Sequence, residues 1–245
     1  MLGELQFRQL QTKQVTVVGL GAVGGYVVEG LVRAGVSRLH IVDFDTIQAS
    51  NLNRQILALT GNIGRSKVEV ARERILAINQ NCRVQAENFF AGEETLERIF
   101  SPRPDLLIDA IDSLNPKVQL LHGAYIRDIP TISSMGAALR TDPALIRCAD
   151  IFDTRNCPLA RHLRKRLRRR GVERGISCVY STEKNSRGRH QQPQKQSVDI
   201  NPSPHHNRGR KRNILGSLPT ITGIFGLIIA NQAIMRLSQA PVPKR

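Results

Sequence analysis

Cysteine is scarce in this 245-residue chain. Cys82, Cys148, Cys157 and Cys178 are the full set, and none forms a C-x-x-C pair. Their spacing excludes a zinc site of Cys and His pairs and a disulfide-stapled miniprotein. Buried thiols in a reducing compartment are expected, with Cys157 or Cys178 as a nucleophile the alternative. The opening MLGELQFRQLQTKQ has no apolar signal stretch, so a cytoplasmic location is expected. No internal repeat is visible. Charge is missing from residues 214–235, 22 positions long, about the span of a bilayer. Ser217, Pro219, Thr220, Thr222, Asn231 and Gln232 would leave polar groups in hydrocarbon. A buried soluble helix over about Thr220–Leu237 is therefore expected, with membrane contact through 214–235 as the alternative.

Acidic residues are also unevenly sparse. The chain carries 36 Lys and Arg against 20 Asp and Glu, a formal charge of +16. Residues 1–154 are close to neutral, with 16 basic and 17 acidic side chains, whereas residues 155–212 hold 17 basic and 3 acidic. An excess so localised points to a polyanionic partner, or else to a solvated tail. Hydrophobic residues make up 40% of the chain, enough for a core and too many for a wholly disordered protein.

Periodicity predicts alternating strands and helices. QVTVV (14–18), RLHIVD (38–43), RVQA (83–86), DLLIDA (105–110) and TISS (131–134) read as strands. Helices are expected over 22–34, 66–78, 93–100 and 116–127. Short connections between them imply an α/β fold, a Rossmann-like, mostly parallel doubly wound sheet with helices on both faces. After Pro143 the pattern weakens. Residues 158–170 can form a basic helix with Leu159, Leu163 and Leu167 in one stripe, and 183–212 reads as a flexible polar basic loop.

GLGAVG (19–24) sets Gly19, Gly21 and Gly24 between a strand and a helix, as a phosphate-binding turn requires. Asp43, 19 residues beyond Gly24, is placed to accept from ribose hydroxyls. Alone, these residues do not choose between NAD, FAD and ATP. The following stretch holds Ser50, Asn51, Asn53, Arg54, Gln55 and Lys67. Arg54 and Lys67 suit a triphosphate that loses pyrophosphate, which needs cations around it. Asp112, with Ser113 beside it, follows a strand end and is a candidate Mg2+ ligand, while Asp109 reads as structural.

In that order and spacing, GLGAVG, VDFDTIQASNLNRQ, GRSK and DAIDS resemble the ThiF/HesA adenylyltransferase family, relatives of ubiquitin-activating enzymes. The resemblance covers about residues 2–182 and resumes at 214–238. It implies an ATP-binding adenylation domain at 1–154, a basic substrate-side region at 155–182, the loop at 183–212, and a C-terminal segment at 213–245 that packs back on the core. It further implies ATP and Mg2+ as cofactors. Gly19, Gly21 and Gly24 would lie near the phosphates, Asp43 on the ribose, and Ser50, Asn51, Asn53, Arg54 and Lys67 along the phosphates. Asp112 and Ser113 would sit at the metal, with Asp112, Arg54 and Lys67 catalytic. DSLNPKVQL and CVYSTE are most similar to the branch that dehydrates threonylcarbamoyladenosine in tRNA, making tRNA the substrate, with a homodimer and a sulfur-transfer protein as partners. The chain starts at about the end of the family's N-terminal arginine segment, leaving MLGE: either the start is misassigned or that arginine is missing, and Arg8 lies far along for a substitute. Three other readings remain: activation of the C-terminus of a ubiquitin-like or sulfur-carrier protein, a catalytically impaired nucleotide- or RNA-binding relative, and a nicotinamide oxidoreductase, in which Arg54, Lys67 and Asp112 would have no purpose.

Overall fold

The computed structural model describes residues 2–184 and 216–239. Most of the loop expected at 183–212 lies outside them. Strands β1 (Gln14–Val18), β2 (Arg38–Val42), β3 (Arg83–Glu87), β4 (Leu106–Asp109), β5 (Thr131–Ser134), β6 (Ile146–Asp150) and β7 (Ser177–Ser181) form one sheet in the order β3-β2-β1-β4-β5-β7-β6. All neighbours are parallel except β6 and β7, which run antiparallel. The order reverses between β1 and β4. Their adjacent carboxyl ends, Val18 beside Asp109, therefore open the crevice where α/β sheets bind ligands.

The helices are α1 (Glu4–Thr12), α2 (Gly24–Arg33), α3 (Lys67–Ile78), α4 (Leu96–Ile99), α5 (Leu114–Tyr125), α6 (Pro158–Arg168) and α7 (Pro219–Ser238). Val15, Val17, Leu39, Ile41, Leu106 and Ile108 face one side and share a core with α2, α3 and α7. Val18, Val42 and Leu107 face the other side, against α4 and α5. A third cluster joins Val118 and Leu121 of α5, Leu163 and Leu167 of α6, and Cys178 and Tyr180 of β7. The uninterrupted β-branched runs follow from this arrangement, because parallel strands covered on both faces have no polar side.

Helix α1 and strands β6 and β7 escaped the sequence reading. In α1 only Leu10 is buried, so apolar periodicity had nothing to report. The edge strand β6 has just one fully buried position, Ile146, and is defined by its pairing with β7. The helix expected at 93–100 divides into a 3-10 turn, Glu93–Thr95, and the single turn α4. Within α6, Leu163 and Leu167 are buried as expected, whereas Leu159 is only half-buried and Ala160 takes the fully buried place.

Helix α7 is long and apolar enough to cross a membrane, with a mean hydropathy of 1.4, yet half of that span is buried inside the fold. Its fit against α2 depends on Gly226. A Cβ there would lie 2.6 Å from both the Tyr26 Cβ and the Val23 carbonyl oxygen. Backbone cannot yield as a flexible side-chain tip does, so Gly226→Ala should cost about 1–3 kcal/mol. At this chain length, that lowers Tm by about 2–4 °C per kcal/mol. Leu227→Ala, at a half-exposed neighbour, should change Tm much less. Equal melting of both variants by circular dichroism would contradict the α2–α7 packing.

Candidate active site

The glycine turn joins β1 to α2. Gly19 adopts φ +94°, and a Cβ there would meet the Ala110 carbonyl oxygen at 2.8 Å. A Cβ on Gly24 would sit 1.8 Å from the Gly19 carbonyl oxygen, so no side chain fits. Over Gly21 the space is open, with nothing within 4 Å of a Cβ. Val23 caps α2 without a side-chain hydrogen bond, so phosphate oxygens suit the amides of its first turn.

Asp43, at the end of β2, braces this turn. Its Oδ2 accepts the Leu20 N–H at 2.6 Å and its Oδ1 accepts the Asp45 N–H at 2.8 Å. Burial raises the Asp43 carboxyl above its usual range, with Lys67 opposing and Asp45 reinforcing the shift. The sequence reading overlooked Asp45, although its signal was present in the D-F-D spacing. Asp45 accepts from Lys67 Nζ at 3.0 Å, and its carbonyl accepts the Lys67 N–H at 3.1 Å. Lys67 is only 4% exposed. Burial alone would lower its pKa, but Asp43, Asp45 and Asp112 together hold it above the ordinary lysine value. It is thus a fixed ammonium, aimed by carboxylates on two strand ends.

The segment after β2 folds into a 3-10 turn, Ala49–Asn51. Asn51 caps it, accepting the Gln48 N–H on Oδ1 at 3.1 Å. Exposed Ser50 and Asn53 serve Arg54, whose guanidinium donates at 2.7 Å to the Ser50 carbonyl and to Asn53 Oδ1. Arg54 is half-buried, and desolvation lowers its pKa while Asp112 pulls the other way. Arg54 and Lys67 therefore both sense Asp112, although far apart in sequence. Beside them, Gln55 Oε1 is buried with no hydrogen-bond partner among the described residues. Such an atom requires a donor from elsewhere.

Asp112 is exposed on the loop between β4 and α5, and Ser113 Oγ donates to its Oδ1 at 3.3 Å. The loop is fixed from beneath. Asp109 Oδ2 receives Lys117 Nζ at 2.7 Å and Ser133 Oγ at 2.6 Å, Asp109 Oδ1 accepts the Ile111 N–H at 3.1 Å, and Lys117 also donates to the Ile111 carbonyl at 2.9 Å. Both Asp109 and Lys117 are fully buried. Cys178 lies next to this brace, in register with Ser133. Burial drives the Cys178 thiol far up, with Cys157 and Asp150 adding to the shift, and raises Cys82 to about 11. Such thiols are poor nucleophiles.

Removing one member of a buried ion pair strands the other, at a typical cost of about 3–5 kcal/mol. Lys117→Met should lose stability on that scale, while Asp109→Asn/Lys117→Met should recover most of it. Urea titrations of both variants and of Asp109→Asn complete the double-mutant cycle. A double variant as unstable as the sum of the singles would contradict the pairing.

The comparisons with known proteins identify the family and its relatives. The matching family description is the ThiF family, over residues 1–245. The chain is 40% identical over 182 residues to the tRNA threonylcarbamoyladenosine dehydratase of Bacillus subtilis, covering 74% of this chain and 72% of that one. It is 34% identical to dehydratase 2 of Saccharomyces cerevisiae, covering 98% of this chain and about half, 55%, of the yeast protein. Among solved structures, the Escherichia coli dehydratase TcdA in complex with ATP superposes with a TM-score of 0.81 at 31% identity, covering 96% of this chain and 89% of that one. This chain therefore belongs to the ThiF family.

Proposed function

We propose that the chain is an ATP-dependent tRNA threonylcarbamoyladenosine dehydratase. The observation that carries this reading is the electrostatic coupling of Arg54 and Lys67 to Asp112, together with a glycine turn that Asp43 braces and that is open over Gly21. Two cations and a carboxylate at the mouth of a glycine turn suit a triphosphate that is cleaved, and a hydride-transfer cofactor would leave them without a task. The likeness to dehydratases from bacteria and yeast narrows the acceptor to a carboxylate on a modified tRNA adenosine.

In this mechanism the threonyl carboxylate oxygen attacks the α-phosphorus of ATP and the bond to pyrophosphate breaks. Arg54 and Lys67 neutralise the charge that builds on the leaving group. Lys67 needs no deprotonation for this, since its aspartate neighbours keep it charged. The acyl-adenylate is a mixed anhydride. The urea of the same side chain attacks the activated carbonyl, AMP departs with the former carboxylate oxygen, and the product is the cyclic form less one water. Ring closure within one side chain benefits from high effective molarity, so no protein thiol is required. The residues also fit a magnesium ion held chiefly by its nucleotide. Among the described residues no three His, Cys, Asp or Glu side chains cluster as a metal site, and Mg2+ commonly takes one or two carboxylates plus phosphates. Asp112 would hold it, with Ser113 adjacent, and the ion would supply charge neutralisation at the phosphates.

By the same reading, residues 1–154 carry the adenylation chemistry, 155–182 face the substrate, and the enzyme works in the cytoplasm as a homodimer, with a sulfur-transfer protein as a further partner. Asp112→Ala should reduce AMP release by about 10²-fold or more, while leaving thermal stability nearly unchanged because its carboxylate is exposed. The decisive assay is AMP formation with tRNA bearing threonylcarbamoyladenosine, paired with nucleoside mass spectrometry of tRNA from a strain lacking this protein. Persistence of the cyclic nucleoside in that strain, or AMP formation driven instead by a protein ending in Gly-Gly, would overturn the assignment.

A further inference from the structure

We propose that the cleft between α5 and α6 is the site that grips the tRNA backbone, through Arg166, Arg169 and Arg170. The proposal deepens the dehydratase reading and rests on it. The cleft is a cavity of about 380 Å³ lined by Asn115, Val118, Gln119, Arg166, Arg169 and Arg170. It is separate from the turn over Gly21, yet one of its walls is the first half of α5, the helix that starts directly after Asp112 and Ser113. At 1.5 Å rise per residue, Asn115 and Gln119 stand about 3 Å and about 9 Å along the axis from Ser113. A polyanion lying in the cleft therefore runs along the helix that leads directly out of the catalytic loop.

The basic side chains of this region divide into two groups. Arg164 turns inward and donates to the Thr154 carbonyl at 3.0 Å and to Thr154 Oγ1, Arg168 covers the Phe152 ring at 5.2 Å, and Arg174 pairs with Asp153. These hold α6 and its flanks to the fold. The cleft arginines are exposed and point elsewhere. Arg166 donates to Asn115 Oδ1, which ties its guanidinium to the α5 wall. Among the described residues, Arg166, Arg169 and Arg170 form no ion pair, and the cleft lining contains no carboxylate. Glu93 accepts from Gln119 Nε2 of the lining at 3.3 Å.

Three unneutralised guanidinium groups around one cavity repel one another, an arrangement that an anion relieves. Arginine forks match phosphate oxygens in pairs, and a cleft without aromatic side chains offers no platform for stacked bases. The chemistry therefore favours the sugar–phosphate backbone of a nucleotide flanking the modified adenosine over its base. Such contacts position the substrate without reading sequence. An acidic protein tail would satisfy the same charges, but it would not deliver a modified adenosine to the loop beside it.

The test compares wild type with Arg169→Gln/Arg170→Gln, and with each single variant. AMP formation is followed with tRNA bearing threonylcarbamoyladenosine, and tRNA binding is measured across a salt series. The double variant should raise KM for tRNA about tenfold or more with kcat within about twofold, because the reacting groups are untouched. Its slope of log affinity against log salt should fall by about 1.5, the loss of two phosphate contacts. Each single variant should move both readouts about half as far, so a folding defect in the double variant leaves the proposal testable. Arg38→Gln/Arg83→Gln, exposed at the opposite end of the sheet, should change neither. Unchanged KM and salt slope in an active, tRNA-dependent enzyme would falsify the cleft while leaving the dehydratase reading intact. A wild type inactive on tRNA, whose cleft variants instead lose affinity for a polyglutamate peptide, would overturn both.

Discussion

Lys117 is a cation with no access to solvent, set against an aspartate equally dry, and the geometry of the candidate site rests on that pair. Moving either charge from water into the interior costs several kcal/mol, and only close pairing with the remaining hydrogen bonds satisfied offsets it. Here they are well supplied. Asp109 receives Lys117, Ser133 and the Ile111 amide, while Lys117 also reaches the Ile111 carbonyl. The main chain at Ile111 is thus fastened through both its N–H and its C=O. Asp112 is the next residue. An exposed carboxylate on a loop between strand and helix would ordinarily sample many positions, yet this one emerges from a peptide held by a buried ion pair.

The same economy appears at the end of β2. Asp43 and Asp45 together hold Lys67 charged, while Asp43 also fixes the glycine turn through Leu20. One cluster of carboxylates therefore sets both the backbone of the glycine turn and the cation beside it. Asn51, Ser50 and Asn53 have supporting tasks in this structure. Asn51 caps its own turn, and the other two brace Arg54. Residues that share a motif with a phosphate ligand can serve by aiming it.

The central strands and helices were legible because parallel strands buried on both faces leave long apolar runs, and helices covering them leave apolar spacings. Asp43, Lys67 and Asp112 were legible because glycine spacing and strand ends announce a phosphate site. Legibility failed where structure depends on partners distant in sequence. β6 exists through β7, α1 through one buried leucine, and Asp45 acquires meaning only once Lys67 folds back 22 residues to meet it. Lys117 fails for a related reason. An i, i+8 pair across a strand end and a helix is not a periodicity of either element, and a lysine in a helix pattern ordinarily signals a wet face.

Burial also explains why the net charge of +16 divides as it does. Lysines and arginines of residues 1–154 are mostly spent on carboxylates: Lys67 on Asp45, Lys117 on Asp109, Arg74 and Arg33 on Glu29, Arg98 on Glu87. Cations committed in that way keep the half neutral and define geometry. On α6, acids are absent and the exposed arginines have nothing within the described fold to neutralise them. A surface left in that state attracts a polyanion over a Debye length of about 8–10 Å, and the α5 wall of the cleft begins directly after the Asp112 loop. Attraction and chemistry can then be separate properties of adjacent surfaces: unpaired cations draw the polyanion in, and paired cations hold the machinery that acts on it.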